Sequence, residues 1–379
     1  MEEIMKMDGN SAEKFRFVIV GSGWRSMYYV RIARALPERF ELCALLCRTE
    51  EKAQRIKEEQ KIHTTLSVEE CIAAKPDFVV VAVDKAHIAS VSEEWLDRGF
   101  TVLCETPAGI DMETLERLKK REAKGEKLVV NEQYLCYPEE IAYQKIIAKG
   151  RIGKPEYLML SIAHGYHGES LMHAFLHTDW QEGFTVFAER YGFSGVSTAD
   201  RYNRFYDGRM SVKERTFARF AFENGTVCIQ DFDRDQYRSP IRASFLKLQG
   251  ERGEIFDHTV SWLDENNLPR CATMEITRRT VRREDPVPNL QSLEETVSIT
   301  FDGETVYEPP FGLCGLSDDE TAMAQMMVKT GAFARGEGES PYPLSRAIID
   351  AYTDLMVQES IRTGEVISAD QAFLGEKER

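Results

Sequence analysis

The chain has 379 residues, 42% of them hydrophobic, and a formal net charge of −15. One hydrophobic core rarely serves a chain of this length, so we expect two domains with enough apolar side chains to fill both cores. The acidic balance argues against nonspecific binding to nucleic acid or to an anionic membrane and favours a small-molecule ligand.

Neither the first residues nor the cysteines indicate export or membrane insertion. Residues 1–12 are polar and acidic, and no run in the chain approaches the roughly 18 apolar residues of a membrane span. The eight cysteines form no C-x-x-C pair and fall mostly inside predicted strands, which is typical of reduced core thiols. We therefore expect a cytoplasmic protein with neither disulfides nor a thiolate zinc site.

A glycine turn near the start of the chain predicts a dinucleotide site. The apolar run Phe15–Val20 reads as a buried strand, Gly21-Ser22-Gly23 ends it, and a helix follows from Ser26. Glycines let the backbone approach a pyrophosphate, and the helix N-terminus offers unpaired N–H groups and a positive dipole end. The residues that we expect to contact the cofactor here are Gly21, Ser22, Gly23, Trp24 and Arg25.

The end of the second predicted strand indicates which nicotinamide cofactor binds. Phe40–Leu46 is followed by Cys47-Arg48-Thr49, with no Asp or Glu to accept the ribose hydroxyls of NAD. Arg48 and Thr49 suit a 2′-phosphate, because arginine is a planar, charged donor. We favour NADP and keep NAD possible. The alternative is that Arg48 is simply a solvated residue before the next helix.

Further strands and helices alternate up to residue 134. They predict an α/β Rossmann domain, a doubly wound parallel sheet, over residues 13–134. Polar residues that follow two of its strands should lie at the ligand-binding edge of the sheet. We assign them to the cofactor site: Asp84, His87, Glu105 and Thr106.

A different pattern begins near Pro138 and predicts an α+β domain over residues 135–370. Asn224-Gly225, between Thr216–Phe222 and Thr226–Phe232, is a strong hairpin signal. Other predicted strands are Ser244–Leu248, Thr273–Val281 and Glu295–Phe301, and two helices, Asp318–Arg335 and Leu344–Thr363, could return toward the first domain. The strands imply a mainly antiparallel sheet.

Several motifs together resemble the glucose–fructose oxidoreductase, inositol dehydrogenase and MocA family of NAD(P)-dependent enzymes. They are Val20-Gly-Ser-Gly23, Val102-Leu-Cys-Glu-Thr-Pro107, and the closing series Tyr342-Pro-Leu, Asp350, Glu359-Ser and Gly364-Glu-Val. The resemblance implies a Rossmann domain joined to an open-faced antiparallel sheet, with cofactor and substrate between them. It also implies a homo-oligomer, a dimer or tetramer, formed through that sheet.

Two departures from the family pattern affect the chemistry. The family's Glu-Lys-Pro motif reads Glu105-Thr106-Pro107, so the lysine that usually binds the reacting hydroxyl is missing. The family's Asp-x-x-x-His segment is matched by His173-Ala-Phe-Leu-His177, which lacks the acid. Another group must therefore exchange protons.

Residues 164–177 hold four of the seven histidines, and histidine exchanges protons well near neutral pH. We expect His167 to be the proton carrier, assisted by His164 or His177, and we assign Tyr134 and His173 to substrate binding. Alternatively, each histidine packs on the domain interface or caps the helix at Gly168. A zinc site at His173 and His177 is less favoured, since no H-E-x-x-H accompanies them.

The expected function is an NADP-preferring oxidoreductase that acts on a secondary alcohol of a sugar, polyol or glycoside. One alternative is a redox-neutral lyase or glycosidase that retains its cofactor. The missing lysine also keeps open a non-catalytic regulator that senses the dinucleotide.

Overall fold

The computed structural model describes residues 13–178, 180–281 and 294–375. The chain forms two compact units. Among the described residues, the first unit extends to Cys136 and continues over Pro309–Ile348, whereas the second contains Tyr137–Glu308 and the chain from Ile349 onward.

A six-stranded parallel sheet is the centre of the first unit, with the order β3-β2-β1-β4-β5-β6. The strands are β1 (Phe15–Val20), β2 (Phe40–Leu46), β3 (Thr64–Thr65), β4 (Phe78–Val81), β5 (Thr101–Cys104) and β6 (Leu128–Val130). The strand order reverses between β1 and β4, and ligands of such sheets bind at the carboxyl ends of the strands beside the reversal.

Helices alternate with these strands, as the sequence predicted. They are α1 (Ser26–Ala35), α2 (Glu50–Gln60), α3 (Val68–Ala73), α4 (Ile88–Leu96) and α5 (Met112–Glu122). Every residue of β4 and β5 is buried, because helices cover both faces of a doubly wound sheet. The predicted Rossmann fold is confirmed.

A nine-stranded mixed sheet is the centre of the second unit, with the order β14-β13-β12-β11-β7-β10-β9-β8-β18. Its strands are β7 (Pro155–Ser161), β8 (Phe184–Val196), β9 (Met210–Phe222), β10 (Val227–Asp233), β11 (Phe245–Gly250), β12 (Gly253–Phe256), β13 (Thr259–Leu263), β14 (Pro269–Thr273) and β18 (Ile367–Ser368). The β7–β10 pair is parallel and the other pairs are antiparallel.

The remaining strands and α-helices of the described residues are three strands and five helices. A smaller sheet has the order β15-β16-β17, formed by β15 (Glu275–Thr280), β16 (Glu294–Phe301) and β17 (Glu304–Tyr307). The helices are α6 (Pro138–Ala148), α7 (Tyr166–Leu176), α8 (Asp318–Arg335), α9 (Leu344–Thr363) and α10 (Gln371–Leu374). Across the described part of the chain, no helix is both long enough and apolar enough to cross a membrane.

The strand predictions for the second unit were incomplete. The Asn224-Gly225 hairpin is confirmed, since β9 and β10 pair on either side of it. The strand predicted at Thr273–Val281 corresponds to β15, Glu275–Thr280, and only its first residue, Thr273, belongs to β14 of the other sheet. The two strands are separated at the buried Met274, whose N–H donates to the carbonyl of His258. Strand β8 was not predicted, because its outer half is exposed and lacks the alternation of a half-buried strand.

Candidate functional site

The glycine turn after β1 leaves space where a dinucleotide phosphate would lie. Gly21 has φ +115°, and a Cβ there would come within 2.3 Å of the carbonyl oxygen of Ala82, so only glycine fits. A Cβ at Gly23 would meet nothing within 4 Å, which leaves the turn open on that side. Helix α1 begins three residues later, at Ser26, so the positive end of its dipole adjoins the turn. The turn therefore leaves room for the pyrophosphate of a dinucleotide.

A cavity of about 630 Å³ adjoins this turn, within the first unit. Its walls come from the ends of β1, β2 and β4 and from α4, where the strand order reverses. Eight of the predicted cofactor residues line it: Gly21, Ser22, Gly23, Trp24, Arg25, Arg48, Asp84 and His87. Three others, Thr49, Glu105 and Thr106, are not among its lining residues.

Two basic side chains lie at the part of the cavity that follows β2. Arg48 and Lys52 are both exposed, and neither side chain has a hydrogen-bond or ion-pair partner among the residues that the structure describes. Thr49 caps α2 by accepting the N–H of Lys52 at 3.4 Å, so Lys52 lies in the first turn of that helix. Sequence reasoning missed Lys52, although its spacing of four residues from Arg48 at a helix start was a usable signal.

The residue that precedes Arg48 carries no negative charge. Cys47 is buried, and burial raises the pKa of its thiol, so it stays neutral near pH 7. No carboxylate therefore stands at the end of β2, where NAD-specific Rossmann domains place an acid.

The turn after β4 presents Asp84 and His87 to the same cavity. The Asp84 carboxylate accepts the N–H of Ala86 at 3.0 Å, and the Asp84 carbonyl accepts the N–H of His87 at 2.8 Å. The His87 Nδ1 lies 4.0 Å from the Asp84 Oδ1, and both side chains are exposed. These bonds fix the turn and leave both side chains accessible to a ligand.

Arg25, in contrast, is held by two carboxylates of the protein. Its Nε lies 3.1 Å from the Glu105 Oε1, and its Nη1 donates to the Asp319 Oδ2 at 3.1 Å. Burial lowers the pKa of Arg25, but the charges of Glu105 and Asp319 outweigh it and hold the pKa well above its ordinary value. Arg25 is thus a permanent cation whose guanidinium is engaged at the cavity wall.

Glu105 also receives hydrogen bonds from two buried side chains. The Tyr29 hydroxyl donates to its Oε1, and the Asn131 amide donates to the same atom at 3.2 Å. Burial, and next the charge of Glu105, raise the pKa of Tyr29 well above its ordinary value, so the phenol keeps its proton. Thr106 follows as a half-buried, uncharged residue, and Tyr134 is buried in a short 3-10 turn.

The structure brings two of the predicted histidines together in the second unit. His164 and His167, at the start of α7, have ring centroids 5.4 Å apart, and the Tyr166 ring lies 4.5 Å from that of His167. The Tyr237 hydroxyl lies 2.6 Å from the His164 Nδ1 and accepts the backbone N–H of His164 at 3.2 Å. Sequence reasoning missed Tyr237, because it lies 73 residues from His164 along the chain.

The other two histidines lie further along the same helix. His173 is buried, with its Nδ1 2.7 Å from the Thr178 hydroxyl and its ring 4.5 Å from that of Trp180. His177 ends α7 in a left-handed conformation, with φ 51°, and is exposed. At 1.5 Å per residue it lies about 15 Å from His167 along the helix axis, so the two do not share a site within one copy. The described residues contain no group of three or more His, Cys, Asp or Glu that could hold a metal ion.

Comparison with known proteins confirms the family resemblance for the first unit. Residues 15–133 match the glucose–fructose oxidoreductase, inositol dehydrogenase and MocA family, described as an oxidoreductase family with an NAD-binding Rossmann fold. No curated protein matches the chain.

Solved structures share the fold over nearly the whole chain. An NAD-binding oxidoreductase from Klebsiella pneumoniae has a TM-score of 0.65 and 13% identity, covering 94% of this chain and 99% of that one. An oxidoreductase from Agrobacterium radiobacter, solved with NAD⁺, L-tartaric acid and magnesium, has a TM-score of 0.65 and 12% identity, covering 94% and 98%. GenD2 from gentamicin A biosynthesis, solved with NAD, has a TM-score of 0.63 and 13% identity, covering 96% and 98%.

Proposed function

We propose that this chain, whose first unit has the NAD-binding Rossmann fold of the glucose–fructose oxidoreductase, inositol dehydrogenase and MocA family, is an NADP-preferring oxidoreductase acting on a secondary alcohol. The observation that carries the proposal is the cavity beside the glycine turn, with Arg48 and Lys52 at the end of β2. Two cations and no carboxylate at this position suit a 2′-phosphate better than free ribose hydroxyls.

The proposed cofactor would be held by the residues that line this cavity. The open side of Gly23 and the start of α1 would receive the pyrophosphate, and Arg48 and Lys52 would receive the 2′-phosphate. When bound, a nicotinamide cofactor exchanges a hydride with a carbon that carries a hydroxyl or carbonyl group.

We propose His167 as the side chain that exchanges the proton of the substrate hydroxyl, with His164 beside it. A neutral imidazole accepts a proton near pH 7, whereas Thr106 supplies neither a cation nor a base. His177, Tyr134 and His173 remain proposed participants. His177 is the second choice for proton exchange, since it is exposed and sits at the end of a helix rather than beside another histidine.

The proposed substrate class is a sugar, polyol or glycoside. Support comes from the ligand of a structural neighbour: the Agrobacterium radiobacter oxidoreductase was solved with L-tartaric acid, which carries secondary hydroxyl groups. We also propose a cytoplasmic location, supported by eight free thiols, and a homo-oligomer formed through the nine-stranded sheet.

A screen of the purified protein tests this function. NADP(H) and NAD(H) are titrated by calorimetry, and a panel of sugars, polyols and glycosides is then incubated with the bound cofactor. Stoichiometric formation of reduced nicotinamide with one substrate supports the oxidoreductase. Substrate conversion without net cofactor reduction would instead indicate a redox-neutral lyase or glycosidase.

The missing lysine favours one other candidate, a regulator that binds the dinucleotide without converting a substrate. Tight cofactor binding without conversion of any compound in the panel would support it. In that case substitution of His167 should leave cofactor binding unchanged.

A further inference from the structure

The hydroxyl of Tyr237 contacts two atoms of one histidine. It accepts the backbone N–H of His164 at 3.2 Å, and it lies 2.6 Å from the Nδ1 of the same residue. The distance of 2.6 Å is short for an N–H donor, whose hydrogen bonds to oxygen are usually about 2.9 to 3.0 Å long. Because the hydroxyl oxygen already accepts the backbone N–H, donation of the phenol proton to Nδ1 uses the hydroxyl both as donor and as acceptor. His164 then carries its own proton on Nε2.

The turn that carries Tyr237 is closed by its own hydrogen bonds. Tyr237 is the last residue of the 3-10 helix Arg234–Tyr237, and Asp233 caps this helix. The Asp233 carboxylate accepts the N–H of Asp235 at 2.9 Å. In return, the side-chain oxygen of Gln236 accepts the N–H of Asp233 at 2.7 Å. This reciprocal capping box fixes the backbone from which the Tyr237 side chain projects.

The same turn is attached to the strand that leads to His164. The Gln236 amide donates to the Ser161 hydroxyl at 2.9 Å, and Ser161 is the last residue of β7, three residues before His164. Phe232, near the end of β10, packs against both rings of the pair. Its ring centroid lies 4.9 Å from that of Tyr237 and 6.2 Å from that of His164. Hydrogen bonds and packing therefore fix the Tyr237 hydroxyl relative to the imidazole.

The tautomer of His164 decides what its ring offers to a ligand. Nδ1 faces Tyr237, so Nε2 lies on the other edge of a half-buried ring. A protonated Nε2 donates a hydrogen bond, whereas the other tautomer presents a lone pair at that atom. When an alcohol gives its proton to a base and its hydride to a nicotinamide, negative charge develops on the oxygen, and a hydrogen-bond donor stabilises that charge.

We propose that Tyr237 is a positioning residue that holds His164 in the Nε2–H tautomer. In this form His164 donates a hydrogen bond to the reacting oxygen of the substrate, while His167 exchanges the proton of that oxygen. The rings of the two histidines are 5.4 Å apart and lie at 86° to each other. This inference rests on the proposed function, because the reacting oxygen belongs to the proposed secondary alcohol. It gives the two histidines different roles, one as donor and one as base.

Nitrogen-15 NMR of the histidine-labelled protein with bound NADP(H) tests the tautomer at about pH 8, where an ordinary imidazole is neutral. The spectrum of His164→Gln identifies the His164 signals. In the parent these signals should show a protonated Nε2 and an unprotonated Nδ1. Tyr237→Phe keeps the ring and loses the hydroxyl, so both tautomers should then be present. Tyr143→Phe, a buried tyrosine packed on Phe175, is the matched control and should leave the His164 signals unchanged.

Steady-state kinetics test the role in the reaction. Tyr237→Phe should lower kcat about 10-fold with the cofactor Kd unchanged, because a contact that strengthens in the transition state is weakened. His164→Gln removes the Nδ1 acceptor. In that background Tyr237→Phe should cost less than about 2-fold, because the interaction that Tyr237 makes is already gone. A merely structural role of Tyr237 would give the same loss in both backgrounds.

The inference is overturned if the parental His164 carries its proton on Nδ1, if Tyr237→Phe keeps the parental tautomer or the parental kcat, or if its loss is equal in both backgrounds. The parental spectrum needs no variant, so it decides the tautomer even if Tyr237→Phe folds poorly, which circular dichroism would detect. Failure of the proposed function looks different, because the parental protein would then convert no alcohol of the panel.

Discussion

Arg335 forms a bidentate ion pair with Asp77: its Nε donates to Oδ1 and its Nη2 to Oδ2, each at 2.9 Å. The same guanidinium donates to the carbonyl oxygens of Glu13 and Lys14, both at 2.8 Å. Arg335 is the last residue of α8, and the residues that it contacts precede β4 and β1. This one side chain therefore attaches the helix to the strand ends of a sheet formed more than 200 residues earlier in the chain.

Arg335→Met should destabilise the first unit by about 2 to 3 kcal/mol, because four charge-assisted hydrogen bonds are lost at a partly buried site. For a unit of this size the thermal midpoint should fall by roughly 5 °C or more. Arg335→Lys keeps the charge but not the planar fork, so it should recover only part of the loss. Equal thermal midpoints for the parent protein and Arg335→Met in differential scanning calorimetry would contradict this prediction.

Local patterns predicted the first unit well. The β1 run, the Gly21 turn and the helix after it lie within 21 residues, and each uses a short-range rule of strand, turn or helix formation. The contacts of Arg25 with Glu105 and Asp319 could not be predicted in this way, since the partners lie 80 and 294 residues away and only the folded sheet brings them together.

The second unit shows a different limit. The hairpin at Asn224-Gly225 was predicted because its turn chemistry is local, whereas Tyr237 was missed because its contact with His164 requires β7 and β10 to pair in parallel. Alternating polarity also does not reveal that β14 and β15 belong to different sheets, since both strands are largely exposed.

The cofactor preference should depend on two cations. Arg48→Ala and Lys52→Ala should each raise the Kd for NADP(H) about 10-fold or more and leave the Kd for NAD(H) nearly unchanged, because each removes a charge-assisted contact to the 2′-phosphate. Titration calorimetry measures both. Arg55→Ala, an exposed arginine on α2 outside the cavity, is the control. Equal weakening of both cofactors would refute the 2′-phosphate assignment.

The stability of the second unit should depend on pH through His258 and Glu139, whose Nε2 and Oε2 lie 2.7 Å apart. The hydrogen bond with Glu139 raises the pKa of His258. Burial raises the pKa of Glu139, but His258 and Arg278 outweigh it and the net pKa is lowered.

Because the pKa of His258 is higher in the folded than in the unfolded protein, the histidine stabilises the folded unit fully at pH values below the unfolded pKa of about 6.5. This stabilisation is lost as the pH rises through the folded pKa. Because the pKa of Glu139 is lower in the folded protein, the glutamate stabilises the folded unit at pH values above the unfolded pKa of about 4.3. This stabilisation is lost as the pH falls through the folded pKa. Both contributions are therefore present between about pH 4.5 and 6.5. The His258 side chain is 40% exposed, so the pair contributes at most about 1 kcal/mol. The thermal midpoint should fall from pH 6 to pH 8 in the parent by more than in His258→Gln, and equal slopes would show that the pair is not coupled to folding.

The proposed oligomer should depend on one face of the nine-stranded sheet. Ile229 lies in register with Met159 of β7 and Arg219 of β9, and Ile229 and Met159 are half-buried. If a second copy covers this face, Ile229→Lys buries a second positive charge beside Arg219 and should shift the mass measured by light scattering to that of the monomer. Val212→Lys, at an exposed position of the β8–β9 ribbon, is the control and should keep the parental mass. A parental protein that is monomeric at micromolar concentration would refute the proposal.

The last prediction distinguishes the two ends of α7 as the place of proton exchange. His167 is buried, its ring is 5.4 Å from that of His164, and His164 in turn contacts Tyr237, whereas His177 is exposed at the other end of the helix. His167→Asn keeps a hydrogen-bonding side chain but cannot exchange a proton near pH 7. We therefore expect kcat to fall by about 10² to 10⁴ with the cofactor Kd unchanged.

If His167 exchanges the proton, His177→Asn should lower kcat by less than about 10-fold. Thr106→Ala should lower kcat by a similarly small factor, because threonine has no cationic or basic group to lose. Single-turnover measurements across a pH series give the chemical step for all three variants. One limb of the parental pH profile should be lost in His167→Asn and kept in the other two variants. The opposite outcome is near-parental turnover and an unchanged pH profile in His167→Asn, together with low turnover and an altered pH profile in His177→Asn. Proton exchange would then take place at the C-terminal end of α7, and His164 and His167 would have a structural role.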